Sequence, residues 1–307
     1  MVNSLTGPDF ICIGLPKSGT GWLFDQLKYH PDFWMPPVKE LAYLHRPILE
    51  LKEAERQFRN MKTQPQKHHR SDWSNRQQSD DRDYRFLEEA VEAIGKPLDI
   101  ERYVKLFRYK NEALSGDISS GYCSLNRRTL KSIVEHLPQT KIILFARDPV
   151  DRAWSHISMW QRARKRRGDT LESPAALKFD STTLENPAAF RSLLESTKSF
   201  MRTSFPSAVV RAWQDAAPQL SFRTFLFDDL RENPDETRRE ILSYLGADPK
   251  PQSGDLRAAH NKKANSEKLE LTPAIRAQLI DLFAEELRDC AALFGGHAKT
   301  WPGRYGL

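Results

Sequence analysis

Residues 10–22 read Phe10-Ile11-Cys12-Ile13-Gly14-Leu15-Pro16-Lys17-Ser18-Gly19-Thr20-Gly21-Trp22, an apolar run that breaks into a glycine-rich, hydroxyl-rich turn carrying one lysine. The apolar run at 10–13 holds β-branched residues and no charge, which predicts a short strand covered on both faces. Gly14, Gly19 and Gly21 permit a sharp turn and a close approach of backbone to ligand. Trp22-Leu23-Phe24-Asp25-Gln26-Leu27 then sets apolar residues at helical spacing. Strand, glycine loop and helix start together aim several N–H groups and a helix dipole at one point, so the stretch predicts a phosphate site.

The loop is not the GxxxxGK[ST] loop of ATP and GTP hydrolases. Gly14 and Gly19 have that spacing, but Thr20 stands in the lysine position and Lys17 lies two residues before Gly19. The hydroxyl that would hold magnesium is displaced with it. A tight turn without a ligand is the alternative, and it would not need lysine, serine and threonine together.

Composition frames the rest. The 307 residues, 39% hydrophobic with seven Trp and sixteen Phe, can bury a sizeable core in one large α/β domain or two smaller ones. A net charge of +6 favours an anionic ligand, although nucleic acid and membrane surfaces are anionic too. Cys12, Cys123 and Cys290 are odd in number and far apart, which argues against a disulfide framework or a zinc site. Residues 1–4 lack a basic leader pattern, and no apolar run reaches about 18 residues. The expectation is a soluble, cytoplasmic protein.

Along the chain, strands are expected at 10–13, 114–118, 141–146 and 222–227, with a short one at 32–36. Helices are expected near 84–94, 101–110, 127–137, 150–165, 186–200, 207–216, 234–245 and 273–293. Residues 52–82 are polar and predict an exposed excursion from the core. No repeat or Pro/Gly linker divides the chain, so a single domain over 1–307 is expected. Strands alternating with helices predict an α/β fold, a parallel sheet flanked by helices on both faces, with ligands at the carboxyl ends of the strands.

A second strand-to-helix turn reads Ala146-Arg147-Asp148-Pro149-Val150-Asp151-Arg152-Ala153-Trp154-Ser155. Arg147 closes the strand, where a guanidinium can take two phosphate oxygens. Ser155 follows about two helical turns later. An Arg–Asp pair ahead of an N1 proline is also a common structural device, and Arg152 can add charge or pair with Asp148 or Asp151.

These two segments, PKSGTxW and RDPxxRxxS, resemble the 5′-phosphosulfate loop and the 3′-phosphate segment of sulfotransferases that use 3′-phosphoadenosine-5′-phosphosulfate (PAPS). Gly116-Asp117-Ile118-Ser119-Ser120-Gly121-Tyr122 is similar to the GE-x-[ST]-P-x-Y element of the heparan-sulfate-type branch, with Asp for Glu and Ser120 for Pro. The late strand at 225–230, Trp213 and the helix ending Tyr244-Leu245-Gly246 also follow the family pattern.

The resemblance implies PAPS as co-substrate, bound by Lys17, Ser18, Gly19, Thr20, Gly21 and Trp22 at one end and by Arg147 and Ser155 at the other, with no metal. Gly21 replaces a second threonine usual in the cytosolic branch. Trp22 stands where that branch stacks a tryptophan on adenine, with ordinary helix packing as the other reading. Lys17 would stabilise the leaving phosphate. Lys39-Glu40 matches the Lys-Glu pair that supplies the base in the heparan-sulfate-type branch, so Glu40 is the expected base and His45 the runner-up. Lys262 and Lys263 fall where the family folds a basic loop over the nucleotide.

The basic run at 162–167 reads as a solvated helix end or as an attractor for an anionic acceptor. His68-His69 lacks metal-ligand partners. The expected activity is sulfuryl transfer to a hydroxyl of a saccharide or small metabolite, with an amine as the lesser choice. Rivals are a kinase of a small hydroxyl substrate and a non-enzymatic protein that binds nucleic acid or another polyanion.

Overall fold

Strands β1 (Phe10–Cys12), β2 (Gly116–Ile118), β3 (Lys141–Ala146) and β4 (Phe222–Leu226) pair in parallel throughout, in the order β2-β1-β3-β4. The computed structural model describes residues 7–45, 52–63, 81–167, 183, 186–250 and 270–307. Phe10 lies opposite both Gly116 and Lys141, which makes β1 an interior strand. All three β1 residues are fully buried, and this explains an apolar run with no polar alternation.

Parallel strands need crossover connections, and helices supply them. They are α1 (Thr20–Lys28), α2 (Lys52–Thr63), α3 (Asp81–Val91), α4 (Ile100–Leu106), α5 (Arg127–His136) and α6 (Pro149–Arg167). There follow α7 (Pro187–Ser196), α8 (Lys198–Arg202), α9 (Pro206–Ala216), α10 (Phe227–Glu232), α11 (Pro234–Leu245) and α12 (Pro273–Phe294). Starts are marked by local chemistry. Asn126, Asn186 and Thr272 accept the N3 amide of α5, α7 and α12, and proline opens α7, α9, α11 and α12.

Ile11 and Ile13 face a core shared with Phe86, Tyr103, Phe107, Ile133 and Trp213, on one side of the sheet. Phe10 and Cys12 face the other, against Leu23, Leu27 and Leu242. The expected α/β fold with helices on both faces is the one observed. A third cluster joins α6, α7, α8 and α12 around Ile157, Phe190 and Phe283.

Three local expectations differ from the structure. The helix expected at 186–200 is broken at Thr197 into α7 and α8. Residues 32–36 contribute only one parallel bridge, Phe33 to Leu114. The segment 52–82, expected as an excursion, opens with helix α2, whose Ala54 is fully buried and whose Phe58 packs on the core. One small and one aromatic residue four apart are enough to seat a largely polar helix. Residues 64–80 of that segment lie outside the described ones.

Candidate functional site

The carboxyl ends of β2, β1 and β3 lie side by side, and the chain runs from β1 to β2 on one flank and then crosses to β3 on the other. That is a topological switch point. The β1–β3 ladder continues past the strand: Ile13 N–H donates to Ile143 O at 2.9 Å, Phe145 N–H to Gly14 O at 2.7 Å and Leu15 N–H to Phe145 O at 3.0 Å. The chain then turns, with Ser18 N–H on Leu15 O at 3.2 Å. Lys17 takes φ 70° and Gly19 φ 113°, so the turn is built from left-handed residues. A Cβ on Gly19 would meet Leu230 Cδ2 at 2.7 Å.

Helix α1 starts at Thr20 with Gly19 as N-cap and no side chain closing it. Its first N–H groups therefore have no intrahelical partner. Ser18 is fully buried, and its Oγ has no hydrogen-bond partner. Lys17 sits among cations, and burial, reinforced by Arg162, Arg147 and Lys39, pulls its ammonium down to about 8. Arg147 donates from Nη1 to Lys17 O at 3.0 Å and stacks over Phe227 at 4.4 Å, while its buried Nε is unpartnered. Among the described residues no carboxylate pairs with Lys17 or Arg147. Ser155 lies half-buried on α6.

Glu40 forms the wall on the β2 side. Its N–H donates to Ile118 O at 2.9 Å, and its Oε2 accepts from Ser120 N–H at 2.7 Å and Ser120 Oγ at 3.1 Å. Lys39 Nζ donates to Oε1 at 2.5 Å, and the Glu40 side chain keeps 38% of its surface exposed. Glu40 and Ala42 both have positive φ, 61° and 56°. This unusual backbone is held from below. Ser119 Oγ accepts Ala42 N–H at 2.9 Å, and Tyr122 OH accepts Leu44 N–H at 3.1 Å.

Those two hydroxyls donate in turn to buried Asp117, at 2.6 and 2.7 Å, and Tyr103 OH adds a third contact at 3.1 Å. Burial pushes the Asp117 carboxyl up to about 6 against these hydrogen bonds. Asp117 was visible in the sequence only as a departure within GDISSGY; its partner Tyr103 carried no signal there. His45 reaches Ser124 Oγ at 3.2 Å and lies edge-on to Tyr122 at 6.3 Å.

Lys17, Ser18, Gly19 and Arg147 thus gather on the β1–β3 side, and Lys39, Glu40 and His45 on the β2 side. Trp22 is packed in the core at 5% exposure, beside Phe24 and Phe33, and Thr20 is also buried. Arg152 pairs with neither Asp148 nor Asp151. It is fully buried against His156 Nδ1 at 3.3 Å and Ser204 Oγ, and burial pulls its guanidinium down to about 9. Asp148 instead caps α6, its Oδ1 accepting Val150 N–H at 3.0 Å. Lys262 and Lys263 lie outside the described residues.

A parallel sheet whose adjoining strand ends hold unpaired cations, an uncapped helix start and a paired glutamate defines an α/β protein with a candidate anion site at its switch point. Residues 8–251 match the model of the sulfotransferase family, and the chain belongs to that family. The fold is similar to a sulfotransferase from Alicyclobacillus acidocaldarius, at 20% identity and TM-score 0.60 over 96% of this chain and 98% of that one. It is also similar to the sulfotransferase domain of the curacin biosynthetic pathway, at 15% identity and TM-score 0.52 over 94% and 97%. The sulfotransferase domain of the Synechococcus PCC 7002 olefin synthase aligns at 18% identity and TM-score 0.49 over 92% and 97%. A search of curated proteins returns no match. No described helix is long and apolar enough to cross a membrane.

Proposed function

We propose that this sulfotransferase takes its sulfuryl group from PAPS and transfers it in line to a hydroxyl of a saccharide or small metabolite, releasing adenosine 3′,5′-bisphosphate. The observation that carries the reading is the buried, unpartnered Ser18 Oγ at the uncapped start of α1, flanked by Lys17 and Arg147 with no carboxylate partner among the described residues. Leaving buried polar groups unmade is costly, so an oxyanion that completes them fits the site.

The donor supplies an activated sulfur and a phosphate leaving group. The N–H groups opening α1 and the Ser18 hydroxyl suit the 5′-phosphate. Arg147 and Ser155 suit the 3′-phosphate, with the guanidinium already oriented by Phe227 and the Lys17 carbonyl. Lys17, a cation in a buried setting, stabilises charge that develops on the bridging oxygen. Glu40 takes the proton of the acceptor hydroxyl. Its Oε1 carries one hydrogen bond against two on Oε2, so Oε1 is the oxygen left to receive it. Ser120 keeps the carboxylate from rotating away, which holds the reactants at attack distance.

Incubation with labelled PAPS and a panel of acceptors tests this reading. Glu40→Gln should lower kcat by about 10²–10⁴ while adenosine 3′,5′-bisphosphate still binds. Full transfer by that variant would remove Glu40 as the base. Tight ATP binding that EDTA abolishes would overturn the PAPS assignment.

A further inference from the structure

Residues 295–307 lie outside the span that matches the family, yet they fold back onto the ends of β3 and β4. Trp301 is fully buried and donates from Nε1 to Asp228 Oδ2 at 3.0 Å. Arg304 bridges two buried carboxylates, with Nη2 on Asp228 Oδ1 at 2.8 Å and Nη1 within 3.5 Å of Asp148 Oδ2. Tyr305 OH donates to the same Asp148 oxygen at 3.0 Å. Arg231 adds a contact to Asp228 Oδ1 at 3.2 Å.

Asp148 and Asp228 are 1% and 4% exposed at their side chains, and after Asp151, which Arg304 does not touch, both act electrostatically on the adjacent Arg147. A buried carboxylate without a cation is strongly disfavoured. Were the bridge absent, Asp148 would lose its cation while still acting on the adjacent Arg147, whose buried Nε has no partner. A guanidinium that turns to a neighbouring carboxylate offers fewer N–H donors and less uncompensated charge to a phosphate.

From this we infer that Arg304 is a positioning residue: by occupying Asp148 and Asp228 it keeps Arg147 free for an anion. The inference rests on reading Arg147 as the residue for the 3′-phosphate. It gives the segment 295–307 a role in donor recognition that the matched span does not contain.

Calorimetric titration with adenosine 3′,5′-bisphosphate and, separately, adenosine 5′-monophosphate tests it on the full chain. Arg304→Gln should weaken the bisphosphate by about tenfold and leave the monophosphate within about twofold, with Arg304→Lys recovering part of the loss. Equal weakening of both ligands would make Arg304 merely structural and overturn the inference, as would no change in either. Arg147→Ala separates the two levels. If it leaves the preference for the bisphosphate intact, the reading of Arg147 falls and the inference with it. If it abolishes the preference while Arg304→Gln does not touch it, only the inference falls. Should Arg304→Gln fail to fold, Tyr305→Phe deletes a single hydroxyl from Asp148 and should still cost the bisphosphate about 2–5-fold selectively. No selective loss there overturns the proposal equally.

Discussion

At the scale of single residues, Lys17 is the group whose state the surroundings alter most usefully. Burial and the neighbouring Arg162, Arg147 and Lys39 disfavour its ammonium, and it titrates at about 8 in the free protein. An anion placed against it supplies the missing counter-charge and must raise that value. Binding of adenosine 3′,5′-bisphosphate should therefore take up a proton above about pH 8, and over that same range affinity should fall by up to about tenfold per pH unit until the raised value of the bound state is reached. Titrations in two buffers of different ionisation enthalpy measure the uptake. Lys17→Arg keeps the charge and should abolish the pH dependence. Lys17 was singled out by its place in the sequence. Its lowered proton affinity was not, because Arg147 and Arg162 reach it only through the fold.

At the scale of elements, the turn after β1 and the Glu40 segment are mechanically joined. A Cβ on Gly14, which has φ 128°, would lie 2.6 Å from the carbonyl oxygen of Ser120, the residue whose N–H and hydroxyl hold Glu40. Gly14→Ala should cost about 2–4 kcal/mol from backbone strain and overpacking together, read by urea unfolding. The shifted Ser120 should lower kcat in the same variant, and a stable, fully active Gly14→Ala would show that the contact yields. Both strand-to-helix turns were legible, since apolar runs ending in Gly or Arg and followed by helical periodicity are local signals. Helix α2 was not, because its seat depends on where Ala54 and Phe58 find the core rather than on its own composition.

At the scale of the whole molecule, buried carboxylates couple global stability to pH. Asp117 and Asp148 both titrate at about 6, raised by burial from an ordinary 3.8. A carboxyl raised in the folded state stabilises that state when protonated. The contribution is complete below about 3.8 and is lost as pH rises through about 6. Asp117→Asn removes one of these titrations, so its unfolding free energy should fall less steeply between about pH 4 and 6 than that of the wild type. Parallel curves in urea unfolding would show that Asp117 does not titrate there. The sequence determined the parallel α/β architecture and the two strand-to-helix turns, because hydrophobic periodicity and glycine placement act over a few residues. Only the tertiary structure decided how the Glu40 segment is held by Asp117 and Tyr103, that Arg152 is a buried structural cation, and that residues 295–307 reach Asp148 and Asp228. Those contacts join residues up to 157 positions apart, and no local pattern encodes a hydrogen bond between them.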